Sequence, residues 1–156
     1  MHACPCGYFS DPARESRCTG AIIQRYLSKV SGPRLDRIDM HIEVPAVAYK
    51  ELRGKDTGVS SAEMRDRVAA RAIQNRRGIY NARIPSRQLR KLCALEEAGE
   101  RTLEMAVRRM GLSARAHDRI LKVARTIADL SATESVTAKH LAEAVQYRSL
   151  DRSYWN

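Results

Sequence analysis

Three of the four cysteines sit near the start of the chain. Cys4-Pro5-Cys6-Gly7 is followed by Cys18, so three thiols fall within 15 residues. Clustered thiols in a reducing compartment point to a metal before a disulfide. Cys4 and Cys6 offer a tight two-thiolate bite, and Cys18 a further sulfur. A structural zinc takes one more ligand than these supply. His2, Ser16 and Asp11 are the local candidates for it, and His2 is the best chemical type. The alternative is a set of free thiols in a loop. Cys93 falls instead on the apolar face of a helical stretch and reads as core.

Other catalytic chemistry is missing from the sequence. It holds no G-x-x-x-x-G-K-[ST] loop to cradle phosphates and no hydrophobic strand ending in Asp-Glu. With only 4 histidines, no Ser-His-Asp or Cys-His arrangement emerges. The chain by itself is therefore expected not to be an enzyme.

The elements that position these residues follow from pattern. Residues 21–30 (Ala21, Ile22, Ile23, Tyr26, Leu27, Val30) read as a short amphipathic helix stopped by Ser31-Gly32-Pro33. Leu35 to Ile38 reads as a turn or short helix. Met40-His41-Ile42-Glu43-Val44 alternates apolar and polar up to Pro45, the one convincing strand. A lone strand leaves its ladder groups unpaired, so it either packs as an extended segment or pairs with a sheet outside this chain. Residues 50–59, with Gly54 and Gly58, read as a linker.

From Ser60 the pattern turns helical. Ser60 and Glu63 form a capping box, with Met64, Val68, Ala72 and Ile73 on one face. Pro85 breaks the chain, and a short helix over Gln88–Leu95 carries Leu89, Leu92 and Cys93. Leu103, Ala106, Val107 and Met110 fit helical spacing, and Gly111 is the expected stop. Ser113 caps a helix whose inner face holds Ala116, Ile120, Val123, Ala124 and Ile127. Val136 and Leu141 are placed as a hydrophobic staple around the N-cap Thr137. The expected fold is mainly α. It is a bundle of about four helices from Ser60 onward, preceded by an irregular segment with one short strand.

Composition sets the class. The chain has 156 residues, 44% hydrophobic and 5% aromatic, with 28 Lys+Arg against 18 Asp+Glu and a net charge of +10. That excludes a disordered tail and a disulfide-dense mini-protein. The charge favours a polyanion partner or, equally, a solvated basic surface, since Arg and Lys lie beside Asp and Glu in helical stretches. No apolar run approaches the roughly 20 residues that span a bilayer. The first residues lack a secretory pattern, so the expected compartment is the cytoplasm.

Several stretches together resemble the magnesium-chelatase-like AAA+ ATPases, in the branch called ComM or YifB. They are Cys4-Pro5-Cys6-Gly7-Tyr8, Ser31-Gly32-Pro33-Arg34-Leu35-Asp36-Arg37-Ile38-Asp39 and His41-Ile42-Glu43-Val44-Pro45. Further along come Leu112-Ser113-Ala114-Arg115-Ala116, the run Ile120 to Leu130, and Gln146-Tyr147-Arg148-Ser149-Leu150-Asp151-Arg152. The resemblance covers nearly the whole chain but only the C-terminal third of such a protein. It implies the end of an ATPase core over 1–49, the linker over 50–59 and a helical lid over 60–156. The phosphate loop and the Asp-Glu strand would lie upstream.

The resemblance also implies roles. Such proteins are similar in working as rings, usually hexamers, with ATP and Mg2+ at subunit interfaces. Arg37 matches an arginine finger acting on the neighbour's nucleotide, and Asp36 would orient it or pair across the interface. Arg115 matches a sensor 2 arginine that touches its own subunit's nucleotide. Two departures matter. His2-Ala3 stands where the family reads Asn-Pro, so no sensor 1 residue is assigned. Ser16-Arg17-Cys18 stands where the family commonly has Cys-x-Cys, which removes the fourth cysteine of a zinc site. Three functions remain open at this point. One is a ring motor acting on DNA in recombination and natural transformation. Another is a chelatase-type ATPase that remodels a protein partner in metal insertion. The third is a stand-alone basic helical module that binds DNA or a partner.

Overall fold

The computed structural model describes residues 2–148 apart from 3, 10, 12, 45–46, 48, 50–52, 54–57 and 70–76. Its helices are α1 (Gly20–Leu27), α2 (Gly32–Leu35), α3 (Ser61–Ala69), α4 (Ser86–Leu92), α5 (Glu97–Met110), α6 (Ala114–Leu130) and α7 (Ala138–Gln146), with a 3-10 turn at Asn81–Arg83. The protein is mainly α, as the periodicity predicts. Helix α6 is the hub, packed against α7, α4 and the 3-10 turn, while α5 packs on α7.

The core follows the apolar stripes. Ile84, Leu89, Cys93, Leu103, Ile120, Leu121, Ala124, Ala128, Val136, Leu141 and Ala144 form one buried cluster. Alanines at 124 and 128, one turn apart on α6, let neighbouring backbones come close. Gly99 does the same for α5, since a Cβ there would lie 3.2 Å from Leu141 Cδ1.

The helix ends carry the signals read from sequence. Ser60 and Glu63 form the reciprocal box: the Ser60 N–H donates to Glu63 Oε2 at 2.7 Å, and the Glu63 N–H to Ser60 Oγ at 3.2 Å. Gly111 ends α5 in the left-handed region at φ 56, where a side chain would be strained. Ser113 Oγ accepts from the Ala116 N–H at 3.2 Å at the start of α6. Val136 and Leu141 are both buried at the start of α7, as a staple requires. His140, rather than Glu or Gln, completes that cap, its Nδ1 accepting from the Thr137 N–H at 3.2 Å.

Three readings change. Residues 40–44 form no strand. They are irregular, and the His41 N–H donates to the Tyr147 carbonyl at 2.8 Å. The physical reason is the absence of any described neighbour strand to complete a ladder. The sole bridge among the described residues is an isolated one between Leu95 and Val136. Met64 and Val68, read as lining one face, are both exposed, and no helix packs extensively on α3 among the described residues. The fourth helix is also placed slightly earlier than its pattern, at Ser86–Leu92. Ala72, Ile73 and most of the linker lie outside the described residues.

One buried polar network braces the hub. Asp129, 2% exposed, accepts from Arg125 Nε at 3.0 Å, Asn81 Nδ2 at 2.7 Å and Arg77 Nη2 at 2.9 Å. Arg125 also donates to the Thr133 and Glu134 carbonyls at 2.5 Å, closing the α6–α7 connection. A buried carboxylate is tolerated only when paired this fully.

Candidate functional site

The cysteine cluster is built by one turn. Gly7 sits at φ 81, and its N–H donates to the Cys4 carbonyl at 3.1 Å. This turn brings Cys4 and Cys6 Sγ to 3.2 Å of each other. All three sulfurs of Cys4, Cys6 and Cys18 lie within 4.8 Å of one another. Tetrahedral zinc with sulfurs at about 2.3 Å needs them about 3.8 Å apart, so this triad fits an ion with a small adjustment.

Ser16 fills the remaining corner. Its Oγ is 3.3 Å from Cys6 Sγ and 3.8 Å from Cys4 Sγ, and it accepts from the Cys18 N–H at 3.2 Å. His2, the better ligand by chemical type, lies over Gly7, its ring 3.6 Å from where a Cβ would sit. The Ser16 hydroxyl, then the Tyr8 backbone and the Cys4 thiol, pull the Cys6 thiol down to about 6. Burial and Cys6 push the Cys4 thiol up, but the backbone at Phe9 and Gly7 and the Ser16 hydroxyl outweigh them and lower it. Cys18 goes the other way: the Cys6 backbone lowers it, but the Cys6 and Cys4 thiols and burial outweigh that and raise it. Cys6 is thus the thiolate of the cluster at neutral pH, the form a metal binds. Cys93 is the opposite case: burial pushes it up to about 11. Its thiol donates to the Leu121 carbonyl, at 3.7 Å, inside the apolar core.

The second site is the loop that follows α2. Arg37 is exposed, and its guanidinium has no hydrogen bond or ion pair among the described residues. Its acidic neighbours are engaged elsewhere. Asp36 Oδ1 lies 3.9 Å from Arg148 Nη2. Arg148 is fully buried and also donates to the Ile38 carbonyl. Asp39 pairs with Arg119 of α6. The loop is therefore tied to the bundle from both sides, while Arg37 between the ties points to solvent. A cleft of about 450 Å3 lies between the end of this loop and the bundle, lined by Asp39, Met40, Lys122, Ile127, Glu143 and Tyr147 among others.

Arg115 stands in the first turn of α6, exposed and without a side-chain partner among the described residues. A cation near a helix N-terminus is mildly unfavourable, and an incoming phosphate would relieve that. The cysteine triad is brought together by the fold. Arg37 and Arg115 are placed on the loop and on α6 respectively. Arg119, Arg148 and the Asp129 network were not singled out from sequence. For Arg125 and Asp129 a signal existed, since both charges fall i, i+4 apart beside the buried alanines of α6. For Arg148 none did, because its contact spans 110 residues of chain.

Comparison with known proteins gives the family. Residues 58–148 match the family described as magnesium chelatase, subunit ChlI C-terminal, and residues 1–52 match magnesium chelatase, subunit ChlI. The chain belongs to the magnesium-chelatase family. It is 41% identical over 155 residues to competence protein ComM of Haemophilus influenzae, covering 97% of this chain and 30% of that protein. YifB of Salmonella typhimurium is also 41% identical, over 97% of this chain and 30% of its own length. A Mycobacterium tuberculosis protein is 34% identical over 93% of this chain and 29% of its own. The chain thus spans about 30% of the length of the curated relatives it matches. No described helix is long and apolar enough to cross a membrane.

Proposed function

We propose that this chain is the finger-and-lid part of a ring-forming AAA+ ATPase of the ComM type, acting on DNA in the cytoplasm. The observation that carries the reading is Arg37, exposed and unpartnered among the described residues while both nearby carboxylates are held by the bundle. An exposed arginine that its own bundle does not engage is free to reach a neighbouring subunit, as a finger must. Delivered in trans, a guanidinium stabilises charge that develops on the transferred phosphoryl group. Asp36 then holds the loop instead of touching nucleotide. Arg115 reads the nucleotide of its own subunit and moves α6 when the phosphate leaves.

The substrate is ATP with Mg2+, bound by upstream residues, and the assembly is a ring, most simply a hexamer. The two matched regions meet near residues 53–57, which supports division into an ATPase-core remnant over 1–49, a linker over 50–59 and a lid over 60–156. Zinc held by Cys4, Cys6 and Cys18 would pin the first loop and supply no reaction chemistry. The net charge of +10 and the likeness to a competence protein support DNA as the track. ATP turnover by the full-length protein, with and without branched DNA, tests this. Strong stimulation by DNA is expected. Stimulation only on adding a protein partner would favour the chelatase-type reading.

A further inference from the structure

The two ties on the finger loop have a consequence for catalysis, and it rests on the reading of Arg37 as a finger. Arg115 and Arg119 lie i, i+4 on α6, so they share one face of one helix. The first is free to meet nucleotide. The second grips Asp39, two residues beyond Arg37. On the other side Arg148, immediately after α7, holds the Ile38 carbonyl and faces Asp36. The His41 N–H, donating to the Tyr147 carbonyl at 2.8 Å, fixes the same loop to the same end of the lid.

We propose that Arg119 is a positioning residue for Arg37 and the link through which α6 carries the state of its own nucleotide to the neighbour's site. Two physical effects combine in it. First, Asp39 paired to Arg119 cannot fold back onto Arg37. Released, its carboxylate lies within two residues of that guanidinium and competes with the phosphate for it. Second, the pair makes α6 and the loop move together. A displacement of Arg115 on phosphate release is passed one helical turn along to Arg119 and from there to the loop. A finger displaced by even an ångström loses much of its effect on the transferring group.

The test uses the full-length ring protein. Arg119→Ala and Asp39→Ala should each lower kcat by about tenfold with KM for ATP within about twofold, because the defect lies in the transition state and not in binding. The double variant should be no slower than either single one, since both remove one interaction. Exchanging the partners, Arg119→Asp with Asp39→Arg, should recover at least about half of the lost activity; a purely structural defect in α6 would not respond to this exchange. The proposal is overturned if Arg119→Ala turns over ATP at the wild-type rate while Arg37→Ala is inactive. It is also overturned if the two single defects add and the exchange rescues nothing. Wild-type turnover by Arg37→Ala would instead remove the finger reading itself, so the two failures are distinct.

Discussion

At the scale of single residues, what matters is which side chains are partnered and which are left free. Four cysteines share one sequence and behave in two ways. Cys6, drawn down to about 6 by Ser16 and its neighbours, is a thiolate at neutral pH, whereas Cys93, raised to about 11 by burial, is not. Alkylation at pH 7 should label Cys6 first in metal-free protein and leave Cys93 untouched until the chain unfolds; equal labelling would contradict the assignment. Zinc should protect Cys4, Cys6 and Cys18 together. Ser16→Cys, which puts a fourth sulfur where Oγ now stands, should retain equimolar zinc through dialysis more tightly than the wild type. Elemental analysis reads the difference, and no gain in retention would remove Ser16 from the fourth corner. The cysteine triad was legible because its members are close in sequence. The role of Ser16 was legible only as one of three local candidates, since which of them reaches the sulfurs depends on the turn at Gly7. The partners of Asp36 and Asp39 were not legible at all: each comes from a distant part of the chain.

At the scale of elements, local rules decided most of the outcome. Capping residues at Ser60, Ser113 and Thr137, the stop at Gly111 and the stripes of α5 and α6 all folded as their spacing predicts. Gly111→Ala should cost about 1 kcal/mol, because φ 56 brings a Cβ against its own backbone. Asp129→Ala should cost more, about 3 kcal/mol or above, since it strands the buried Arg125 without its carboxylate. Denaturant unfolding of the chain measures both, and a smaller loss at Asp129 than at Gly111 would show that the network contributes little. Where local rules failed, a partner was the reason. Residues 40–44 alternate like a strand, but alternation fixes only which faces side chains take, and no described strand pairs with them. Ile42 is 65% exposed and Val44 82%, as an edge without its sheet would be. Met64 and Val68 fail in the same way, since a stripe on α3 buries itself only if another element arrives to cover it.

At the scale of the whole molecule, the bundle holds a loop in place and leaves Arg37 on that loop without a side-chain partner among the described residues. Hub helix α6 carries Arg115 near its start and Arg119 one turn later, while the end of α7 carries Arg148. On the proposed reading, the bundle senses nucleotide through Arg115 on one side and steers Arg37 through Arg119 on the other. That arrangement gives a reason for Arg37 to be exposed between two engaged carboxylates. The most direct measurement is ATP turnover and nucleotide binding by Arg37→Ala in the full-length ring, alone and mixed with subunits whose phosphate loop is disabled. The account predicts a loss of about a thousandfold in turnover for the variant alone, with binding nearly unchanged, and partial recovery on mixing. Turnover near the wild-type rate by rings made only of Arg37→Ala would contradict it.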